Sequence, residues 1–170
     1  MTMLLDLRRD ALGASLAARL RWPQVEHELR AFPDGESYIR MLSDVGGAEV
    51  TVLADLARPN AHVLEPLLVA ATLRAQGARR VALLAPYLPY MRQDCAFKPG
   101  EAVSSRHFAA LLDAHFDALL TVDAHLHRYA TLDELYTIPA RNLTAAGLLA
   151  DHVRAHVAAP LLIGPDTESA

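Results

Sequence analysis

The sequence has few cysteines and no long apolar segment, and these absences exclude several classes of protein. Cys95 is the only cysteine, so an intrachain disulfide is excluded and a reducing compartment is expected. No segment approaches the roughly 18 consecutive apolar residues of a membrane span, and residues 1–13 lack the apolar centre of a secretory signal. We therefore expect a cytoplasmic protein without a membrane partner.

Clusters of positive charge are also missing. The chain has 16 Lys and Arg residues against 20 Asp and Glu residues, a net charge of -4, and no basic block. Nonspecific attraction to nucleic acid or to anionic lipid is therefore not expected. A phosphate group bound by this chain would have to be held by a few individually placed side chains.

Apolar residues, in contrast, are abundant and regularly spaced. With 170 residues, 52% of them hydrophobic, the chain can fill the core of one domain. Short β-like runs alternate with one-faced helical patterns, which predicts an α/β fold with a mainly parallel sheet. The predicted strands are residues 3–7, 25–32, 37–42, 49–56, 79–87, 118–124 and 160–164. The helical stripes are Leu64, Leu67, Leu68, Ala71 and Leu73 within residues 61–76; Phe108, Leu111, Leu112 and Phe116; and Leu143, Ala146, Leu149 and Val153.

The second and third β-like runs are close enough to form an antiparallel hairpin. They are joined through Pro-Asp-Gly-Glu at residues 33–36, which is a turn signal by itself. Phe32, Asp34 and Glu36 could instead have a binding role. An aromatic ring can stack on adenine, and a carboxylate can accept a hydrogen bond from its exocyclic amine.

A long connection follows the strand predicted at residues 79–87, where loops of about 2 to 6 residues are usual. Arg92 and Gln93 in this loop are either solvated or suited to phosphate oxygens and a purine. Lys98 precedes Pro-Gly, which predicts a tight turn, and Ser104 is the expected N-cap of the next helix.

A second polar segment, with Asp123, His125 and His127, follows the strand predicted at residues 118–124. Alternating Asp-x-His-x-His can bind a divalent metal, or one histidine can cap a turn while the others face solvent. Parallel strands end at one edge of a sheet, so we expect this segment to meet the Arg92 loop and Asp166, which follows the last predicted strand. Surface or packing roles are expected for five other histidines: His62, His107, His115, His152 and His156.

Four separated stretches, taken together, resemble one family. Residues 31–40, 59–94, 99–128 and 161–166 occur in the order and approximate spacing of the ribose-phosphate pyrophosphokinases, also called phosphoribosyl pyrophosphate synthetases. The resemblance implies a three-layer, phosphoribosyltransferase-like fold. It also implies transfer of the diphosphoryl group of ATP to the C1 hydroxyl of ribose 5-phosphate. The products would be phosphoribosyl pyrophosphate, used in nucleotide biosynthesis, and AMP.

The resemblance also implies roles for individual residues and a Mg²⁺ cofactor. Arg92, Gln93 and His125 match positions that contact ATP in the family, and His125 and Asp166 match positions near the metal. Three hairpin residues match those that reach adenine from an adjacent subunit, which implies a homo-oligomer: Phe32, Asp34 and Glu36.

The chain departs from the family pattern at several places. Cys95-Ala96-Phe97 replaces a basic residue after Arg-Gln-Asp, and Val45-Gly46-Gly47 lacks the arginine associated with allosteric phosphate or ADP. The family's catalytic loop and ribose-phosphate loop would lie beyond Ala170. We therefore expect residues 1–170 to be an N-terminal domain without its C-terminal partner and inactive alone. Two alternatives are a noncatalytic regulatory homologue and a zinc hydrolase built on the histidines.

Overall fold

The computed structural model describes residues 1–161 together with Ile163 and Gly164. These residues form seven strands and five α-helices, with one short 3-10 helix at Leu132–Glu134. The strands are β1 (Thr2–Asp6), β2 (His27–Ala31), β3 (Ser37–Met41), β4 (Glu49–Leu53), β5 (Arg80–Ala85), β6 (Ala118–Val122) and β7 (Ala140–Leu143). The helices are α1 (Ala11–Leu20), α2 (Pro59–His62), α3 (Leu64–Ala75), α4 (Ser104–Asp113) and α5 (Ala146–His156).

Five of the strands form one sheet in the order β1-β4-β5-β6-β7, and every neighbouring pair is parallel. Leu83 of β5 pairs with Val52 of β4 on one side and with Leu119 of β6 on the other. The α/β fold with a mainly parallel sheet is thereby confirmed. The carboxyl ends of β1, β4, β5 and β6 all lie along one edge, and we call that edge the rim.

Burial alternates along the central strands. Val81, Leu83 and Ala85 of β5 are at most 1% exposed and belong to the main core, whereas Leu84, between two of them, is only partly buried. Successive strand residues point to opposite faces, so one face is covered much better than the other. The main core on the covered face includes residues of α3 and α4, such as Leu73 and Leu112.

The predicted antiparallel hairpin is confirmed as a separate sheet of β2 and β3. Phe32 closes the turn, because its N–H donates to the Glu36 carbonyl over 2.8 Å and its carbonyl accepts from the Gly35 N–H over 2.9 Å. Gly35 has a φ of +91°, which a side chain would disfavour. The Arg30 guanidinium lies over two rings, 4.8 Å from the Phe32 centroid and 4.1 Å from that of Tyr38.

The helix predicted over residues 61–76 is divided into α2 and α3 at Val63. Its predicted apolar stripe is partly wrong, because Leu64 and Leu68 are 60% and 39% exposed and Ala71 is exposed as well. The buried residues of α3 are Pro66, Leu67, Val69, Ala70 and Leu73. Apolar residues lie all round this helix, so contact with the sheet, and not the sequence period, selects the buried face.

Other differences concern the ends of the chain. Helix α1 and strand β7 were not predicted. The predicted strand at residues 160–164 is wrong for its described residues, which have no regular structure, and Leu161 and Ile163 are 81% and 82% exposed. The predicted stripe of the last helix is wrong too, since α5 has no buried residue. An apolar run forms a strand or a buried stripe only where a neighbouring element covers it, and no described element covers these.

None of the helices in the described part of the chain is long and apolar enough to cross a lipid bilayer.

Candidate functional site

The rim opens onto a cavity between the ends of β5 and β6. The cavity has a volume of about 110 Å³ and is lined by Tyr87, Leu88, Met91, Arg92, Asp123, Ala124 and His125. Arg92 lies in the loop after β5, and His125 lies three residues after β6 ends. Two side chains that are 33 positions apart in the sequence therefore meet because their strands are parallel neighbours.

The segment that leads to His125 is fixed to the neighbouring strand. Asp123, with a φ of +46°, donates its N–H to the Leu143 carbonyl over 2.8 Å and accepts the Ala145 N–H at its carboxylate over 3.1 Å. The Ala124 N–H donates to the side-chain oxygen of Asn142 over 2.9 Å. These hydrogen bonds fix the direction in which the chain leaves β6, and hence the position of the His125 backbone.

The Arg92 loop is anchored in the core immediately before Arg92. Leu88 and Met91 are only 3% and 2% exposed and belong to the main core. Tyr90 has a φ of +62°; its ring packs 5.0 Å from that of Phe108, and its hydroxyl donates to the side chain of Asn60. Arg92 is thus an exposed side chain on a backbone that two buried neighbours support.

Gln93 faces the beginning of α4 and is not among the residues that line the cavity. Its side-chain oxygen accepts the Ser104 hydroxyl over 2.8 Å, and its carbonyl accepts the Ser105 N–H over 3.2 Å. The prediction that Ser104 is the N-cap is wrong, because Val103 holds that position and Ser104 is the first helical residue. The Ser104 hydroxyl therefore donates to the side chain of Gln93, in the preceding loop, and does not cap the helix.

The turn predicted at Lys98 is confirmed. Gly100 has a φ of +88°, and the Glu101 N–H donates to the Lys98 carbonyl over 3.2 Å. The Glu101 carboxylate accepts the N–H groups of Phe97 and Lys98 over 2.8 and 3.0 Å. This carboxylate therefore organises the part of the loop that returns to α4.

The rim also carries polar residues at the ends of β1 and β4. Arg8, Asp55 and four other residues line a cavity of about 420 Å³: Leu7, Ala54, His62 and Glu65. The Arg8 guanidinium lies 3.3 Å from an Asp55 carboxylate oxygen and 2.8 Å from Nδ1 of His62. Because Arg8 carries the donors, the imidazole nitrogen is the acceptor.

A third cavity, of about 310 Å³, shares lining residues with both of these cavities. Arg8 and Asp55 line it together with Tyr87, which also lines the Arg92 cavity. Arg8 and Asp55 were not predicted as site residues, although both follow parallel strands as Arg92 and His125 do. His62, predicted to have a surface or packing role, is among the lining residues.

The hairpin residues lie apart from these cavities. Phe32 is 39% exposed, Asp34 and Glu36 are exposed, and none of the three lines a cavity of the rim. The Asp34 carboxylate accepts the Glu36 N–H over 3.2 Å, which is a turn contact. In the described part of the chain, the hairpin tip does not share a cavity with Arg92.

The described residues contain no group of three or more His, Cys, Asp or Glu side chains arranged to hold a metal ion. Asp123, His125 and His127 are therefore not grouped as the three-ligand site that a zinc hydrolase would need. The rings of His125 and His127 stack with centroids 6.0 Å apart. Asp166, the other predicted metal residue, lies outside the described residues. Mg²⁺ needs fewer protein ligands, because it keeps waters and binds substrate phosphates.

The chain is similar to known proteins along most of its length. The family model for the N-terminal domain of ribose phosphate pyrophosphokinase matches residues 2–115. The ribose-phosphate pyrophosphokinase of Methanothermobacter thermautotrophicus is 40% identical over 157 residues, which cover 91% of this chain and 53% of that protein. The ribose-phosphate pyrophosphokinase of Methanopyrus kandleri is 34% identical over 157 residues, with the same coverage.

A solved structure agrees with these sequence relationships. The phosphoribosylpyrophosphate synthetase from Mycobacterium smegmatis has a TM-score of 0.83 and 27% identity, over 91% of this chain and 52% of that one. The chain thus spans about half the length of the relatives that it matches. From its sequence and its fold, the chain belongs to the family of ribose-phosphate pyrophosphokinases and matches their N-terminal half.

Proposed function

We propose that the chain is the nucleotide-binding half of a ribose-phosphate diphosphokinase. The complete enzyme would transfer the diphosphoryl group of ATP to the C1 hydroxyl of ribose 5-phosphate, and would act in the cytoplasm. The observation that carries this proposal is the cavity shared by Arg92 and His125 at the carboxyl ends of adjacent parallel strands. Ligands of open α/β sheets bind at such an edge.

The chemistry of these side chains suits a polyphosphate. Arg92 offers a planar fork of N–H donors that can bind two phosphate oxygens, and His125 can donate a further hydrogen bond. Phosphoryl transfer depends mainly on positioning and on neutralising charge. Arg92 and His125 would therefore hold the nucleotide without taking part in covalent steps.

Mg²⁺ would be the cofactor, held mainly by nucleotide phosphates and water, with Asp123 and His125 as the described protein groups at the same cavity. It would neutralise phosphate charge. A carboxylate is the better partner for Mg²⁺, because imidazole is a softer ligand. Asp166 stays a predicted metal residue.

The hairpin would complete the site of a neighbouring subunit in a homo-oligomer. The Phe32 ring, at the turn of the hairpin, is 39% exposed and has the Arg30 guanidinium 4.8 Å from its centroid, and it would stack on adenine. Asp34 and Glu36 would accept hydrogen bonds from the adenine amine. None of these three residues lines a rim cavity of its own chain, so we propose that they act in another subunit.

A titration of the chain with MgATP, followed by calorimetry, tests the nucleotide site. Arg92→Ala and His125→Ala should each raise the dissociation constant about tenfold or more, because each removes a hydrogen bond to a charged oxygen. Arg154→Ala, which removes an exposed arginine of α5, is the matched control and should bind as wild type does. Equal affinities for all four proteins would refute the site.

A second assay separates binding from turnover. The 170-residue chain with MgATP and ribose 5-phosphate should form no AMP, because it spans only about half the length of the relatives that it matches. AMP formation by this chain alone would contradict the assignment of a half-site. Tight stoichiometric zinc that His125→Ala and His127→Ala both lose would instead support the hydrolase alternative.

Mixing variants tests the role of the hairpin across subunits. Phe32→Ala and Arg92→Ala should each impair MgATP binding, whereas an equimolar mixture should regain part of it, since some sites then receive an intact hairpin and an intact Arg92 loop. A mixture that binds no better than its components would exclude a shared site. Tyr38→Phe, which keeps the ring in the hairpin, is the control.

A further inference from the structure

An ion pair with a buried carboxylate joins the loop of Arg92 to the segment of His125. The Asp94 carboxylate, only 3% exposed, accepts a hydrogen bond from Nε of Arg128 over 3.2 Å, and the Arg128 side chain is 47% exposed. Asp94 lies two residues after Arg92, and Arg128 lies three residues after His125. The pair therefore spans the two loops close to both candidate phosphate-binding side chains.

Three further contacts strengthen the same junction. The Tyr129 hydroxyl donates to the Asp94 carbonyl over 3.4 Å and lies 3.2 Å from the Ser105 hydroxyl, which must then be the donor to Tyr129. The Arg128 guanidinium also lies 5.7 Å from the centre of the Phe97 ring, on the returning part of the loop. We call Asp94, Arg128 and Tyr129 the loop clasp.

The clasp has a physical reason to remain closed. A carboxylate that is almost fully removed from water is costly unless a charged or hydrogen-bonding partner compensates it. Arg128 supplies both the charge and the N–H donor for Asp94. Loss of the guanidinium would leave Asp94 without its ion-pair partner, and the simplest relief is movement of the Arg92 loop toward water.

We propose that Arg128 is a positioning residue, which acts through Asp94 to hold Arg92 at a fixed separation from His125. This inference rests on the proposed nucleotide site, because a fixed separation matters only if one ligand contacts both side chains. A polyphosphate bound by both benefits from a preorganised pair, since less loop freedom is lost on binding. Arg128 itself need not touch the nucleotide.

Two measurements on the same variants test the proposal. Arg128→Gln should raise the MgATP dissociation constant about tenfold, the effect expected when a loop must be ordered on binding. It should also accelerate amide hydrogen exchange at residues 92–98. Arg128→Lys retains a cation and should restore part of both properties. Arg154→Gln breaks an exposed ion pair, to Asp151, and should change neither.

Rescue by lysine and unchanged circular dichroism distinguish positioning from a general loss of fold. If Arg128→Gln does not fold, Tyr129→Phe removes one hydrogen bond of the clasp and should shift both measurements in the same direction by about twofold. The proposal is overturned if Arg92→Ala weakens MgATP binding but the clasp variants do not. If Arg92→Ala does not change MgATP binding either, the proposed nucleotide site is refuted. In that case the clasp is tested by hydrogen exchange alone, and unchanged exchange at residues 92–98 in Arg128→Gln would overturn it.

Discussion

The two faces of the parallel sheet differ in how completely they are covered. On the face that includes Leu83, helices α3 and α4 and the base of the hairpin close a continuous core. On the face that includes Leu84, a smaller cluster forms around Leu4, Ala17 and Leu53, where α1 contacts β1 and β4. Parallel sheets are usually covered on both faces.

This difference shows which face of the sheet anchors the loop that carries Arg92. Leu88 and Met91, which precede Arg92, are buried in the core of the well-covered face. The other face has partly exposed apolar residues toward β6, such as Leu120 and Val122. The backbone that carries Arg92 is therefore anchored in the core of the better-covered face.

The largest expected effect compares two adjacent leucines of β5. Leu83→Ala should lower the free energy of unfolding by about 3 kcal/mol, because Leu83 is 1% exposed and its truncation leaves a cavity. Leu84→Ala, on the partly covered face, should cost about 1 kcal/mol. Urea denaturation of both variants measures the difference, and equal losses would show that the two faces are equally packed.

A smaller effect is expected where α1 approaches the sheet. A Cβ on Gly13 would lie 1.9 Å from a carboxylate oxygen of Asp6, which is 3% exposed and accepts the N–H groups of Arg8 and Asp10. Gly13→Ala should therefore destabilise the protein by about 2 kcal/mol despite its better helix propensity.

Gly147→Ala on α5 is the matched control, because a Cβ at this position would meet no atom within 4 Å. It should stabilise the helix by up to about 1 kcal/mol. Thermal unfolding measures both glycine variants. A stabilising Gly13→Ala would mean that α1 can move away from β1.

Tyr136 tests a weak point in the core of the well-covered face. Its hydroxyl is buried without a hydrogen-bond partner among the described residues, and burial, with the nearby charge of Asp113, raises the pKa of this phenol far above its ordinary range. Because the pKa is raised in the folded state, the neutral phenol contributes its full stability below the unfolded pKa of about 10. This contribution is lost as the pH rises from that value toward the folded pKa.

At pH 7 the free energy of unfolding of Tyr136→Phe should lie within about 1 kcal/mol of the wild-type value, because the substitution removes a buried hydroxyl that makes no hydrogen bond in the described structure. The variant should also lose less stability than wild type above pH ~10. Thr121→Val, at the second buried hydroxyl without a partner in the described structure, is the companion variant. A cost above roughly 2 kcal/mol for Tyr136→Phe would indicate a hydrogen bond to that hydroxyl.

The smallest effect concerns Asp117, which connects α3 to the sheet. Burial raises the pKa of this carboxyl, but the Val81 N–H at 2.7 Å and the Arg74 guanidinium at 3.0 Å outweigh it and lower the pKa. A lowered pKa contributes stability above the unfolded value of about 3.9, which is lost as pH falls through the folded value.

Asp117→Asn should therefore flatten the acid side of the stability curve below pH ~4, with a change of less than about 1 kcal/mol because the pair is partly exposed to solvent. Urea denaturation at several pH values between roughly 2.5 and 7 measures this change in the free energy of unfolding, because carboxylates titrate in about that range. Asp151→Asn, in an exposed pair on α5, should leave the curve unchanged. Identical curves for all three proteins would remove Asp117 as a contributor.

Local signals were enough for part of the fold and part of the site. The hairpin was predictable because Pro-Asp-Gly lies between two β-like runs, and β5 and β6 because their apolar runs are bounded by polar loops. Arg92 and His125 could be placed together because parallel strands end at one edge. Their roles, the Mg²⁺ ion and the extent of the domain stay predictions.

Other features depend on contacts between distant segments. The buried face of α3 was mispredicted at Leu64 and Leu68, since a helix that is apolar on all sides has no single preferred face. The hydroxyl of Ser104 was assigned to a cap, but Gln93 accepts it. The strand at residues 160–164 was expected from composition alone, without a neighbour to pair with.

The sequence by itself determined the family, the α/β class, the hairpin and the polar loops after β5 and β6, because motifs, spacing and turn residues are local signals. Only the tertiary structure decided that Arg8 pairs with Asp55 on the rim and that Asp94 pairs with Arg128 between two loops. The physical reason is that an ion pair is set by distance in space and by burial. Neither quantity can be read from residues that are far apart along the chain.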